Sequence, residues 1–242
     1  MRYMGSKRLH SKELIKTIET SIGTPFIGSS YSFMNYIEPF VGGCNMIDKI
    51  PDVFNKKIGN DINFHVIEMF KSLQNGWTPP DSITEEQYKQ LKELSKTHSY
   101  EVDNALIGFV GCACSYGGKW FGGFARGKNN KGTDRNYCFE NKKSVLGQNI
   151  QNVVFTSAMV IEGRCNLIYC DPPYANSTNY KDKFDHNKFW KWCDRQVFNG
   201  NKVFVSEYNA PEGWRCIWQK EVNNILTKET GSKQGIEKLF TK

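Results

Sequence analysis

The sequence predicts an α/β chain built on a parallel sheet, with a ligand site at the carboxyl ends of the strands. Three observations predict it. Asn166–Cys170 is a short apolar run, entered from Gly163 and stopped by Pro172 and Pro173, as suits a strand buried on both faces. Met34–Glu38 reads as a second strand and runs directly into the glycine-bearing turn Pro39-Phe40-Val41-Gly42-Gly43. Lys57-Ile58-Gly59-Asn60-Asp61 reads as a third and ends in a carboxylate eighteen residues beyond Gly43. In open α/β sheets ligands bind outside the carboxyl ends of strands, so a glycine turn and acids placed there mark a site.

Composition bounds the rest. The 242 residues suit one moderately large domain or a domain with an inserted lobe, and 39% hydrophobic residues can bury a sizeable core. No apolar run reaches the roughly 18 residues of a membrane span. The polar, basic opening Met1–Ser11 lacks a signal-peptide pattern, so a soluble cytoplasmic protein is expected. Eight cysteines and four histidines invite a metal or disulfide reading, yet no Cys-x-x-Cys occurs. No metal site is expected, and the thiols read as reduced and mostly buried. The net charge is +7, and its placement is informative. Between Tyr116 and Ile150 stand seven basic residues, Lys119, Arg126, Lys128, Lys131, Arg135, Lys142 and Lys143, against the two acids Asp134 and Glu140. Such clustering is the footprint expected for a phosphate backbone.

Taken in order, the apolar stretch Cys44–Ile50 after the glycine turn reads as the start of a helix. Strand, glycine turn and helix is a nucleotide-site layout, in which glycine lets a ligand approach the backbone. An acid about twenty residues further on accepts ribose hydroxyls in dinucleotide folds, the role open to Asp61. Asp61 reads equally as the N-cap of a helix opening at Ile62–Ile67. Lys7 reads either as a ligand contact or as a solvated residue near an amphipathic helix.

From His65 to Glu162 the alternating pattern lapses. Thr84–Lys96 has helical spacing, with Thr84-Glu85-Glu86-Gln87 as a capped start and Tyr88, Leu91 and Leu94 on one face. Val102–Cys114 follows as an apolar helix, and the glycine-rich Ser115–Arg126 reads as a loop or hairpin. There Lys119, Arg126, Lys128, Lys131 and Arg135 are candidates for phosphate contacts, and Trp120, Phe121 and Phe124 for packing or stacking. Further on, Tyr180–His186 reads as a flap over a bound base or as a surface loop. Asp185–Phe198 predicts a helix, and Lys202–Ser206 a buried strand with Ser206–Asn209 at its carboxyl end. Cys216–Ile225 and Lys233–Phe240 predict an antiparallel hairpin at a sheet edge.

The chemistry concentrates at Asp171-Pro172-Pro173-Tyr174. Asp171 offers a carboxylate and Pro172 a carbonyl, fixed by two pyrrolidine rings, while Tyr174 offers a flat face. Two fixed acceptors match the two N–H bonds of a planar exocyclic amine such as that of a nucleobase. The plain alternative is an Asp-Pro turn with Tyr174 covering the sheet edge. A specified tetrapeptide arises by chance in on the order of one in a thousand chains of this length, which favours the site.

This tetrapeptide resembles the catalytic motif of amino-group methyltransferases that use S-adenosylmethionine. Together with Arg2–Lys7, Glu38–Gly43 and Asn60–Asn63, in that order, it makes the chain resemble the Dam-like, D12 class adenine-specific DNA methyltransferases. The resemblance implies a Rossmann-like S-adenosylmethionine-dependent methyltransferase sheet formed by residues 1–64 and 163–242. Residues 65–162 would form an inserted, mainly helical target-recognition lobe with a basic hairpin or loop, a strand near 152–158 being open to either part. It implies Tyr3, Lys7, Phe40, Gly42, Gly43, Asp61 and Asp171 as cofactor-binding residues and Asp171, Pro172 and Tyr174 as catalytic ones. Double-stranded DNA would be the partner, and the methyl group would go to N6 of an adenine flipped out of the duplex. A cognate restriction enzyme and the cytoplasm of a bacterial or phage-infected cell fit the same resemblance. Cys44 stands where the family often has glycine. The acceptor pair itself demands only an exocyclic amine, so cytosine N4 and an RNA base stay open, as does a DNA-binding relative without catalysis.

Overall fold

The computed structural model describes residues 1–29, 31–97, 101–157, 163–174, 184–223 and 234–242. Among them are the strands β1 (Tyr31–Glu38), β2 (Phe54–Asn60), β3 (Val153–Thr156), β4 (Asn166–Cys170), β5 (Lys202–Glu207), β6 (Arg215–Asn223) and β7 (Gln234–Thr241). They form one sheet in the order β3-β2-β1-β4-β5-β7-β6. β1 pairs parallel with β4, Ile37 opposite Ile168, and β4 parallel with β5, Cys170 opposite Val205. β7 runs antiparallel to both β5 and β6, the edge hairpin expected from the sequence. The strand order reverses at β1 and β4, so Glu38 and Cys170 end at the switch point where open sheets bind ligands.

The helices are α1 (Ser11–Ile22), α2 (Phe64–Gln74), α3 (Glu85–Leu94), α4 (Asn104–Ala113), α5 (Tyr137–Leu146) and α6 (His186–Phe198). The chain falls into two compact units. One comprises Met1–Ser11, Val41–Lys49 and Gly59–Met159; the other comprises Lys12–Phe40, Ile50–Ile58 and Val160–Lys242.

In the first unit α4 lies against α2 so closely that a Cβ on Gly108 would stand 2.1 Å from the His65 carbonyl oxygen. His65 Nδ1 meets Asn104 Oδ1 at 2.7 Å across the same contact. α3 begins with the predicted capping box, the Thr84 hydroxyl accepting from the Gln87 amide and the Gln87 side chain from the Thr84 amide. Two local expectations are corrected here. Cys44–Ile50 does not start an α-helix; it runs through turns into a single 3₁₀ turn, Ile47–Lys49. Cys44 adopts φ +56°, which interrupts right-handed propagation, and Pro51 stops the segment. The N-cap of α2 is Asn63, whose side chain accepts from the Val66 amide, because both Asp61 oxygens are engaged elsewhere.

In the second unit every residue of β4 is buried, which is why its sequence is an unbroken apolar run rather than an alternating one. Ile37, Ile168, Cys170, Val203 and Val205 pack with Phe189, Trp190 and Cys193 of α6 and with Trp214 and Phe240. Asn201 Oδ1 accepts the Asn166 amide at 2.9 Å, fixing where β4 begins.

Candidate functional site

The first unit builds a cradle from the amino-terminal arm and the glycine turn. Tyr3 lies over both glycines: a Cβ on Gly42 would be 2.9 Å from Tyr3 Cε1, and one on Gly43 would be 2.8 Å from Tyr3 Cβ. Gly42 also takes φ +47°. Glycine is therefore required here for close approach as well as for conformation. Asn45 clamps the arm reciprocally, its Oδ1 accepting from the Met1 amino group at 3.2 Å and its Nδ2 donating to the Met1 carbonyl at 3.0 Å. Gln148 Nε2 donates to the carbonyls of Gly43 and Cys44 at 2.8 and 3.0 Å. Cys44, at the family's frequent glycine position, is fully buried and left-handed, a conformation that costs roughly 1–2 kcal/mol without glycine.

Asp61 closes the cradle. Its Oδ2 accepts the Gly42 amide at 2.9 Å and its Oδ1 the Asn63 amide at 2.9 Å. Burial raises its carboxyl pKa above the usual range, more than these two bonds lower it. Each oxygen keeps a further lone pair, so the acid can still receive hydroxyl donors. Ile62, expected to open a helix, precedes α2 and is 94% exposed beside it. Lys7 is buried, with Nζ donating to the Gly5 carbonyl at 3.0 Å, so the solvated reading of this lysine is set aside.

Part of the basic stretch folds back on the same arm. Met4 N donates to the Gly118 carbonyl at 3.1 Å, and a Cβ on Gly118 would meet the Tyr3 backbone at 2.9 Å. Trp120 stacks on His65, centroids 5.9 Å apart, and Phe121 and Phe124 pack on Tyr88 at 5.2 and 5.5 Å. These aromatics anchor the loop to its own unit. Of the five candidate DNA contacts, Lys128 and Lys131 are exposed and Lys119 is half-buried. Arg126 pairs with Glu85, and Arg135 pairs with Glu140 and lies 4.6 Å from the Tyr137 ring centre.

In the second unit the Asp171–Tyr174 segment leaves β4 at the switch point. Asp171 is half-buried, Pro172 buried, and Tyr174 half-buried with its ring 4.7 Å from that of Tyr208 at 74°. Parallel pairing of β4 with β5 brings Ser206–Tyr208 beside this segment. Beneath it, Tyr169 and Ser206 share a hydrogen bond at 2.8 Å, and Tyr36 donates to the buried Glu38 at 2.8 Å. Phe40, the first residue of the glycine turn assigned to the cofactor, packs edge-on against Phe184 and Phe189, each 5.7 Å away. The flap reading of Tyr180–His186 falls mostly on residues 175–183, outside the described residues.

A mixed, mostly parallel seven-stranded sheet with a glycine turn after β1, an acid after β2 and another after β4 has the layout of a methyltransferase fold. Residues 3–105 match the family model of the D12 class N6 adenine-specific DNA methyltransferases. The matched stretch holds Tyr3, Lys7, Phe40, Gly42, Gly43 and Asp61, and ends before the basic loop and Asp171–Tyr174. A comparison with curated proteins gave no match. Among the described residues no helix is long and apolar enough to cross a membrane.

Proposed function

We propose that the protein transfers a methyl group from S-adenosylmethionine to N6 of adenine in a specific double-stranded DNA sequence. The observation that carries this reading is the pairing of Asp171-Pro172-Pro173-Tyr174 at the sheet's switch point with an amino-terminal match to the adenine methyltransferase family.

Tyr3, Lys7, Phe40, Gly42, Gly43, Asp61 and Asp171 bind the cofactor in this reading. The fit has support: Asp61 has acceptor capacity left for ribose hydroxyls, and exposed Ile62 offers an apolar face for a purine ring. When bound, S-adenosylmethionine supplies the methyl group with its own leaving group, the N–C bond forming as the C–S bond breaks. The protein's task is then to prepare the amine. The N6 lone pair is delocalised into the ring, and hydrogen bonds from N6 to the Asp171 carboxylate and the Pro172 carbonyl draw it toward tetrahedral geometry. The carboxylate also stabilises the positive charge that develops on N6, which then releases one of its protons to solvent. The base must leave the duplex to reach these acceptors, and Tyr174 replaces its lost stacking. Residues 65–162 serve as the target-recognition region, with Lys119, Arg126, Lys128, Lys131 and Arg135 meeting phosphates.

The test is methylation of adenine-unmethylated genomic DNA, followed by digestion to nucleosides. N6-methyladenine is expected with wild type and none with Asp171→Ala, which still folds, as a cooperative cofactor-free melting transition shows. Methyl groups on cytosine, or near-normal turnover by the variant, would overturn the reading.

A further inference from the structure

Glu207 ends β5 as a carboxylate that is 1% exposed, with neighbours on two sides. Burying a charge this deeply is costly unless it is paired and hydrogen-bonded, so its partners matter. On one side its Oε2 accepts the Tyr208 amide at 2.5 Å, and the Tyr208 ring meets the Tyr174 ring edge to face at 4.7 Å. On the other side its Oε1 stands 3.5 Å from Nδ1 of His186, the first residue of α6. The His186 ring in turn packs on Phe184 at 4.9 Å, and Phe184 on Phe40 at 5.7 Å. A single buried acid thus touches two chains of contact, one ending at the aromatic face of the tetrapeptide and the other at the glycine-turn phenylalanine. Lys238 on β7 is its register partner across the sheet.

We propose that Glu207 is a positioning residue for the target base: it fixes Tyr208, and through it the ring plane of Tyr174, while holding His186 at the start of α6. This deepens the reading above and rests on it. Glu207 touches neither the base nor the methyl donor in this account. Its loss therefore lowers turnover by letting Tyr174 swing, and it alters the binding of the methyl donor less, because only the longer chain through His186 and Phe184 leads to Phe40. The edge-to-face arrangement of Tyr208 on Tyr174 is one of the two that aromatic pairs favour, and holding it fixes the plane of the stacking face.

The experiment compares Glu207→Ala, Glu207→Gln and Tyr208→Leu with wild type, once the methylated sequence has been mapped with wild type. A duplex carrying 2-aminopurine at the target position reports extrusion by its fluorescence, and calorimetry reports the Kd for S-adenosylmethionine. Glu207→Ala is expected to lose at least about tenfold in kcat and most of the 2-aminopurine signal, with a smaller change in the cofactor Kd; a tenfold loss corresponds to about 1.4 kcal/mol. Glu207→Gln keeps a carbonyl to accept the Tyr208 amide and recovers most of both readouts, whereas Tyr208→Leu reproduces the loss. If Glu207→Ala does not fold, the contrast between Glu207→Gln and Tyr208→Leu decides. Turnover and fluorescence at wild-type level in Tyr208→Leu, or a Glu207 defect confined to cofactor affinity, would overturn the proposal. A wild-type protein that leaves adenine unmethylated would instead sink the functional reading itself.

Discussion

Asp61→Asn probes the cradle most directly, because the two side chains have nearly the same shape and differ in what they can accept. The carboxylate receives one backbone amide on each oxygen, from Gly42 and from Asn63, both at 2.9 Å. A carboxamide has one acceptor oxygen and one donor NH2, so whichever way it turns, one buried amide faces a donor. Leaving a buried N–H unsatisfied costs about 1–3 kcal/mol. At about 2–4 °C per kcal/mol for a chain of this size, the melting temperature should fall by roughly 2–12 °C. In the proposed reading the same change removes the charged acceptor for ribose hydroxyls, worth about 1.5–3 kcal/mol, so the Kd for S-adenosylmethionine should rise about 10- to 150-fold. Scanning calorimetry without ligand and titration calorimetry with it separate the two effects. The pH dependence has a definite sign. Since burial raises the folded pKa of Asp61, its own contribution to stability is fullest below the unfolded carboxyl pKa and is lost as pH rises through the folded value. The stability gap between wild type and Asp61→Asn should therefore narrow with rising pH across that range. A variant that melts with the wild type and binds the cofactor as tightly would refute the reasoning.

Three further outcomes are expected. Gly43→Ala places a methyl group 2.6 Å from Asn45 Nδ2 and 2.8 Å from Tyr3 Cβ, so it should cost about 1–3 kcal/mol of stability by overpacking and weaken cofactor binding, both measurable by calorimetry. Ile62→Lys should leave the melting temperature unchanged, because the side chain is 94% exposed, while raising the Kd for S-adenosylmethionine. Replacing exposed Lys128 and Lys131 by Ala should weaken DNA binding on any sequence and flatten the log Kd against log salt slope by about 1 per contact removed, read by fluorescence anisotropy.

β4 was legible because burial on both faces leaves mainly apolar residues to choose from, and prediction and structure share both its ends, Asn166 and Cys170. β1 and β2 begin earlier than expected, at Tyr31 and Phe54, because exposed residues such as Ser32, Asn55 and Lys56 break the apolar run there. The capped start at Thr84 was legible for a different reason: its signal is four local residues whose hydrogen bonds are made among themselves. α5 escaped reading because its buried face is Cys138, Asn141 and Val145, with a polar residue in the middle that donates to the Ala113 and Tyr137 carbonyls. Cys44 could not be read as a helix breaker, since a left-handed cysteine is imposed by contacts distant in sequence: Gln148 on its carbonyl and Asn45 on Met1. Within the cradle, Tyr3, Gly42, Gly43 and Asp61 carry sequence signals of their own. Asn45 and Gly118 carry none, because their roles exist only once the arm has been laid down.

Charge counting shows the same divide between local and distant information. The sequence count for Tyr116–Ile150 sets seven cations against Asp134 and Glu140. Folding adds Glu85 and Asp81 from outside that segment, pairing with Arg126 and Lys142, while Glu140 takes Arg135. Around the basic stretch the balance is therefore seven cations against four acids rather than two. These pairs lie largely at the surface, where solvent screening leaves an ion pair worth little, so a phosphate can replace the carboxylate at small cost. What the acids do control is aim. Arg126 is turned toward α3 by Glu85, with its guanidinium 5.9 Å from the Phe124 ring centre, and Arg135 toward the start of α5 by Glu140. Arginines held in this way arrive at a backbone with fewer rotamers to lose than free lysines do. In the proposed reading Lys128 and Lys131 would contribute mainly long-range attraction to a polyanion, and the two arginines mainly its registration.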